Sequence, residues 1–251
     1  MTGKNRQNYN KNYIAYVHSF DPPTEHFKNC FRAFLVGGFI CSIGQFLREI
    51  LEKAFLLSGD ELAGTVSVIN SYEGLEGTQV AIHGGHVSVI ANDDGINGTA
   101  TSGTAIAIGG GTVYIYCSGD GIDSNSRTSY EGIVFSGGNT VVISTSSGNS
   151  AIDTENGYRY TGGAVIAVMP SGGMSQEATH FSDFASVGTK KSVSLSADSY
   201  LTVSAGGETV ATVKTPKSMS ALVIYLGSSA ASVSTENSTS ATLDANGVCW
   251  H

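Results

Sequence analysis

The acidic residues of this chain recur at a fixed offset. Asp93-Asp94-Gly95-Ile96-Asn97 returns 26 residues later as Gly119-Asp120-Gly121-Ile122-Asp123. Each copy follows a Gly-Gly-x-Val step, Gly84-Gly85-His86-Val87 and Gly110-Gly111-Thr112-Val113. Aligning Gly95, Gly121 and Ala151 extends the series, so that Asn97, Asp123 and Asp153 form one column and Asp94, Asp120 and Ser150 another. Carboxylates stacked at a strand spacing of about 4.8 Å repel each other unless a cation or donor lies between them. Calcium suits such a row, because it accepts carboxylate, amide and backbone oxygens in loose geometry. A second recurrence, Ser71-Tyr72-Glu73-Gly74-Leu75-Glu76-Gly77 and Ser129-Tyr130-Glu131-Gly132-Ile133, adds glutamates to the repeat. The expected calcium ligands are Glu73, Asp93, Asp94, Asn97, Asp120, Asp123, Glu131 and Asp153. The competing reading is that Asp and Asn at these corners only make side-chain turns and ladders.

Positioning such columns requires stacked coils. Val80-Ala81-Ile82, Val87-Ser88-Val89-Ile90, Ala105-Ile106-Ala107-Ile108, Val113-Tyr114-Ile115-Tyr116, Val141-Val142-Ile143 and Val165-Ile166-Ala167-Val168 are short β-branched runs, most of them bounded by glycine pairs. These read as strands. The second glycines of the pairs, Gly85, Gly111, Gly138 and Gly163, are separated by 26, 27 and 25 residues. A period of that size with matched corners is the signature of a solenoid, here a parallel β-helix of about four coils over residues 70–173. From residue 174 to 251 the period lapses and alternation appears in Ser192-Val193-Ser194-Leu195, Tyr200-Leu201-Thr202-Val203 and Ala221-Leu222-Val223-Ile224-Tyr225. That stretch is expected to be an antiparallel β cap or sandwich over the helix end.

The same residues limit the catalytic options. Removal of an α-proton from a uronate needs a basic side chain, and no lysine lies between residues 54 and 189. Only Arg127 and Arg159 remain in the coils, and arginine is a poor base. Arg159, between Tyr158 and Tyr160, is expected to stack on a sugar or to pair with Glu155. No Ser-His-Asp order stands out, and His83 and His86 are expected to face outward or sit in a ladder. Binding without turnover is the expected function, with calcium-dependent uronate cleavage as the enzymatic alternative. Tyr72, Tyr130, Tyr158, Arg159 and Tyr160 are the candidate sugar contacts, with buried ladder tyrosines as the alternative.

The net charge of -8 is unevenly spread. Residues 1–69 carry seven Lys/Arg and six Asp/Glu, whereas the remainder carries six and fifteen. An acidic region without a dense basic patch argues against nucleic acid as a partner. Cys30, Cys41, Cys117 and Cys249 show no Cys-x-x-Cys spacing, which leaves zinc and a disulfide framework unsupported, and Cys117 is expected to be a small buried residue.

Residues 1–69 are of a different texture, with seven of the ten phenylalanines before residue 56. Residues 33–47 are wholly uncharged, and Arg48, Glu49, Glu52 and Lys53 close the run. A spanning helix needs about 20 such residues, so this is a marginal span within a helix expected at about 30–56. The run starts too late for a secretory signal, and Cys41 lacks a lipoprotein context. Asn29-Cys30-Phe31-Arg32-Ala33-Phe34-Leu35-Val36-Gly37-Gly38-Phe39-Ile40-Cys41-Ser42-Ile43-Gly44-Gln45, after Pro22-Pro23, resembles the start of the stage V sporulation protein AC family. The likeness covers residues 8–69. It implies an inner-membrane setting for that segment, association with a membrane through residues 33–47, and in the full-length family a part in moving dipicolinate with calcium into the forespore. The later membrane helices of that family have no counterpart after Ile69.

From Ser71 onward the corners quoted above, Ser71 to Gly77, Asp93 to Asn97, Gly119 to Asp123 and Ser129 to Gly132, resemble the clostridial carbohydrate-binding domain-containing proteins. The resemblance implies a right-handed parallel β-helix similar to pectate lyases, bound calcium, display outside the cell or on its surface, and affinity for plant or cell-wall polysaccharide. A junction between two unlike pieces is therefore expected between residues 60 and 80.

Overall fold

The computed structural model of the chain describes residues 64–170, 176–181, 187–227, 233–238 and 241–251, together with scattered positions between Lys11 and Phe46. The chain divides into two compact units, Met1–Leu57 and Ser58–His251. In the first, all described positions are helical, among them Cys30, Phe31, Arg32, Phe34, Leu35, Val36, Phe39, Ile43 and Phe46. Several residues of the apolar run 33–47 and all of 47–63 lie outside the described residues, which takes in only the first four positions, 60–63, of the expected junction. Among the described residues, no helix is long and apolar enough to cross a membrane.

The second unit opens with β1 (Thr65–Ser71) and the short β2 (Leu75–Gly77), then alternates long and short strands: β3 (Val80–Ala91), β4 (Ile96–Gly98), β5 (Ile106–Cys117), β6 (Ile122–Ser124), β7 (Ile133–Ser144), β8 (Ile152–Thr154) and β9 (Arg159–Met169). The long strands stack in parallel as β1-β3-β5-β7-β9 and the short ones as β2-β4-β6-β8. This is the expected solenoid. Four short rungs bound three complete turns, one fewer than the glycine count suggests, because the last pair, Gly162-Gly163, lies in a strand whose next neighbour runs antiparallel.

Each long strand is bent once, where its ladder shifts register at the glycine pair. The second glycine carries the left-handed conformation that makes the bend: φ is 84° at Gly85, 80° at Gly111, 78° at Gly138 and 90° at Gly163. The solenoid also begins earlier than residue 70. Val66, Ser67 and Val68 pair in register with Val87, Ser88 and Val89, since their alternation finds its partner a coil away and not in the preceding segment.

Inside the coils, Ile96, Ile106, Ile108, Ile115, Ile122, Ile133, Phe135, Val142 and Ile152 are almost completely removed from water. Cys117 is buried among them as expected, and burial beside Asp94 and Asp120 raises its thiol well above the usual range. His83 and His86 point outward.

The end of the solenoid is closed by a strap, β10 (His180–Phe181), and by strands of the C-terminal region: β11 (Val187–Leu195), β12 (Ser199–Ala205), β13 (Glu208–Thr215), β14 (Met219–Leu226), β15 (Val233–Ser238) and β16 (Val248–Trp250). β14 pairs antiparallel with β9 and β11 with β14, so the main sheet changes sense where the repeat stops. The other four strands form an antiparallel sheet, β15-β12-β13-β16. Leu201, Val203, Ala211 and Val213 of that sheet pack on Val141, Ile143, Ile166 and Val168, giving a second core on the outer face of the later coils. Tyr225 of β14 anchors the strap. Its hydroxyl accepts the Ala178 amide at 2.7 Å and the Tyr158 hydroxyl at 3.3 Å, and its ring stacks on Tyr160 with centroids 4.9 Å apart.

Candidate functional site

The short strands expose one residue per coil. In each, the first and third residues turn inward, as in Ile122 and Ser124, and the middle one faces out. Register places Glu76, Asn97, Asp123 and Asp153 in a single outward row. The expected column is present, and Glu76 extends it by one rung. Its sequence signal is the match of Leu75-Glu76-Gly77 to Ile96-Asn97-Gly98, an apolar residue, a polar one and a glycine.

The second acid column has a different job. The Asp120 amide donates to Asp94 Oδ1 at 2.7 Å, and the Ser150 amide donates to Asp120 Oδ1 at 2.5 Å. The Glu73 carboxylate likewise accepts the Asp94 amide. Each carboxylate thus ties its coil to the next, which is the ladder role that was the alternative for these corners. Backbone bonds run alongside, from Gly74 to Asp94, Gly95 to Asp120 and Gly121 to Ser150. Gly119 sits against this ladder; a Cβ there would lie 2.4 Å from Asp94 Oδ1.

The two columns are close enough to repel. Burial, and then the charges of Asp94, Asp153 and Asp120, push Asp123 up to about 7. Burial outweighs the Ser150 amide at Asp120 and, with Asp153, Asp94 and Asp93, pushes it up to about 6. Asp94 and Glu73 are raised mainly by burial, with neighbouring carboxylates adding to it. Two oxygens, Glu73 Oε2 and Asn97 Oδ1, are enclosed without a hydrogen-bond partner. Enclosed acceptors without donors, and acids raised by burial and mutual repulsion, would each be relieved by a proton or a cation.

Asp120, Asp123, Ser124, Asn125, Asp153, Thr154 and Glu155 line an open cleft of about 380 Å³ along this row. All its donors are hard oxygens or amides, which suits calcium or another hard cation. The fit has a limit: among the described residues, no three His, Cys, Asp or Glu side chains converge on one point. Rungs at strand spacing can clasp an ion between neighbours, and the remaining coordination positions would fall to water or to a ligand. The Gln176 amide donates to Asp153 Oδ1 and closes the row at its far end.

Other expected contacts are separated from this row or spoken for. Tyr158 and Tyr160 are fully buried in the strap core, which corrects their assignment as sugar platforms: alternation along β9 turns them inward, and Tyr225 and Phe135 pack against them. Arg159 faces out between them, yet it pairs with Glu131, not Glu155, at 3.1 Å. Glu131 Oε2 also accepts from Thr104 Oγ1 at 3.5 Å, so this oxygen is held by two donors of its own corner. Tyr72 keeps its ring in solvent. It is 71% exposed, and its hydroxyl donates to the Asp93 carboxylate beside the acid row. Tyr130 is exposed too, with the His180 ring stacked on it at 4.4 Å.

Comparison with known proteins gives two likenesses, in different parts of the chain. Over 68 residues the chain is 35% identical to stage V sporulation protein AC of Bacillus subtilis (strain 168), a match that covers 26% of this chain and 45% of that protein. The chain therefore spans less than half of that relative's length. No solved structure matches. The model of the carbohydrate-binding domain-containing protein family matches residues 52–238, which takes in the solenoid, the strap and most of the cap. The chain belongs to the carbohydrate-binding domain-containing protein family.

Proposed function

We propose that the chain binds a plant or cell-wall polysaccharide at the bacterial surface without cleaving it, with calcium held along the outward row. The observation that carries this reading is the in-register row Glu76, Asn97, Asp123, Asp153, whose last two acids line the open cleft and whose Asn97 Oδ1, like Glu73 Oε2, is enclosed without a donor. Bound calcium would neutralise the carboxylates and offer open positions to sugar hydroxyls or uronate oxygens. Asp94 and Asp120 hold the coils in register, Asp123 and Asp153 present the charge, and Tyr72 offers a ring face beside them. Turnover is disfavoured because Arg159 is spent on Glu131, and a guanidinium, there or at Arg127, is a poor base.

The test uses the intact chain in affinity gels containing polygalacturonate. Retardation is expected with calcium and at least tenfold weaker binding with EDTA, without any rise in unsaturated product at 235 nm. Binding indifferent to EDTA would remove calcium from the proposal, and unsaturated product would make the protein a lyase.

The match to stage V sporulation protein AC favours a second role for the N-terminal unit, attachment to a membrane. Phe34, Phe39 and Phe46 are largely exposed helical residues, and apolar side chains in water favour an interfacial setting. The full chain is expected to partition with membranes in flotation assays, and a chain lacking residues 1–57 to stay with the soluble fraction; equal partitioning of both would refute it.

A further inference from the structure

The outer face of the bent strands carries a second feature, away from the acid row. Ser88, Tyr114, Val141 and Ile166 form one column there, and Ile90, Tyr116, Ile143 and Val168 another. On the later coils both are buried beneath the antiparallel sheet. The cover stops at the second coil, where Ile90 is 38% exposed, Tyr116 half-buried and Tyr114 8% exposed. A cleft of about 230 Å³ opens at that step, between Ile90, Tyr114 and Tyr116 of the solenoid and Lys214, Pro216 and Asn246 of the cap.

The walls of this cleft are held in place. Asn246 Oδ1 accepts from Ser88 Oγ at 2.9 Å, which clips the cap loop to the first full coil. The Lys214 amide donates to the Gly247 carbonyl at 2.8 Å, and Lys214 Nζ pairs with Asp198 at 3.3 Å. Burial, with Tyr116 and Asp244 nearby, pushes Tyr114 up to about 12, so its hydroxyl stays a donor at any working pH. The lining is thus an apolar and aromatic surface with a few polar groups at its rim, the usual make-up of a small-molecule site.

We infer that this cleft is a stacking subsite for one uncharged pyranose ring of the polysaccharide. A pyranose has an apolar face of C–H bonds and an edge of hydroxyls. A tyrosine ring takes the face. Lys214, itself paired with Asp198, and the Asn246 amide take the edge as donors. The ring is uncharged because the cation at the rim already has its carboxylate, which leaves no unmet charge for a uronate. At about 230 Å³ the cleft is smaller than the ~300–1,000 Å³ of sites for larger ligands, and so takes one ring at a time. The inference rests on the reading that the chain binds polysaccharide, and it adds a second contact with the opposite chemistry to the acid row.

The test compares two polymers on the full chain in calcium: hydroxyethylcellulose, which is neutral, and polygalacturonate, which is acidic. Tyr116→Ala removes the ring face, and Ile90→Trp fills the cleft from an exposed position without touching the core. Both variants are expected to bind hydroxyethylcellulose at least tenfold more weakly while retaining polygalacturonate binding. Unchanged hydroxyethylcellulose binding by Ile90→Trp, at the wild-type melting temperature, would overturn the inference, as would equal losses on both polymers. Wild-type protein retarded by polygalacturonate alone would overturn this subsite and leave the acid row standing. Retardation by neither polymer would overturn the polysaccharide reading as well.

Discussion

Gly138→Ala is expected to lower the melting temperature of the protein more than any surface change. Gly138 holds φ at 78° in the corner of β7, a conformation that an L side chain adopts at a cost of about 1–2 kcal/mol. A Cβ there would also lie 2.7 Å from the Gly110 carbonyl carbon and 2.7 Å from Gly111 O of the coil below. Neither is a side chain that can rotate away. Relief requires the coils to separate, which breaks the parallel ladder of β5 and β7 on both sides of the corner. Overpacking of this sort adds about 1–3 kcal/mol, for a total of about 2–5 kcal/mol out of a typical 5–15 kcal/mol. At this chain length that is a melting temperature lower by about 4–20 °C. Gly84→Ala is the control, because a Cβ there meets nothing within 4 Å and its φ is not positive. It should shift stability by no more than about 0.5 kcal/mol. Equal behaviour of the two variants in thermal melts would show that the stacked corners do not set the fold.

The second large effect lies in the charge of the two acid columns. Asp123 titrates at about 7 and Asp120 at about 6, both raised from an ordinary carboxylate value. Between about pH 4 and 7 the folded state therefore binds more protons than the unfolded chain, and stability contributed by these groups falls as pH rises through that window. Asp123→Asn removes the larger of the two titrations. Without divalent ions, the variant is expected to melt above wild type at pH 8 and close to it at pH 4.

Calcium should narrow that gap at pH 8. With the ion at a hundredfold excess over its dissociation constant, wild type gains about 2.7 kcal/mol, or roughly 5–10 °C, and the variant gains little. Calorimetry at pH 4 and 8, with calcium and with EDTA, reads both effects. A wild-type melting temperature at pH 8 that ignores calcium would defeat the metal assignment, whereas a difference between the two proteins that does not change with pH would defeat the charge argument. Asp94→Asn offers a contrast, because that side chain spends an oxygen on the Asp120 amide, and an amide oxygen can still accept it.

Much of this molecule is written in the spacing of its residues. A parallel, in-register stack converts equal offsets into vertical columns, so Gly85, Gly111, Gly138 and Gly163 had to be corners, and Asn97, Asp123 and Asp153 had to share a row. Even the 30-residue step from Asp123 to Asp153 is absorbed by a longer loop without loss of register. What periodicity does not encode is direction and partner. Asp94 and Asp123 look alike in the repeat, but the corner turns one onto the next coil's amide and the three-residue strand turns the other out to the cleft. Tyr158 and Tyr160 flank Arg159 in a sequence that suggests a sugar platform; alternation in β9 instead sends both inward, where Tyr225, 65 residues after Tyr160, completes the core. Arg159 meets Glu131 by the pairing of neighbouring coils. Tyr114 and Tyr116 read as ordinary strand residues, and only the place where the antiparallel sheet ends leaves them lining a cleft. Local spacing thus determined the coils and their columns, because those depend on contacts that repeat. The tertiary structure decided which acids are tethered, which are open and which aromatics meet solvent, because those depend on partners that occur once.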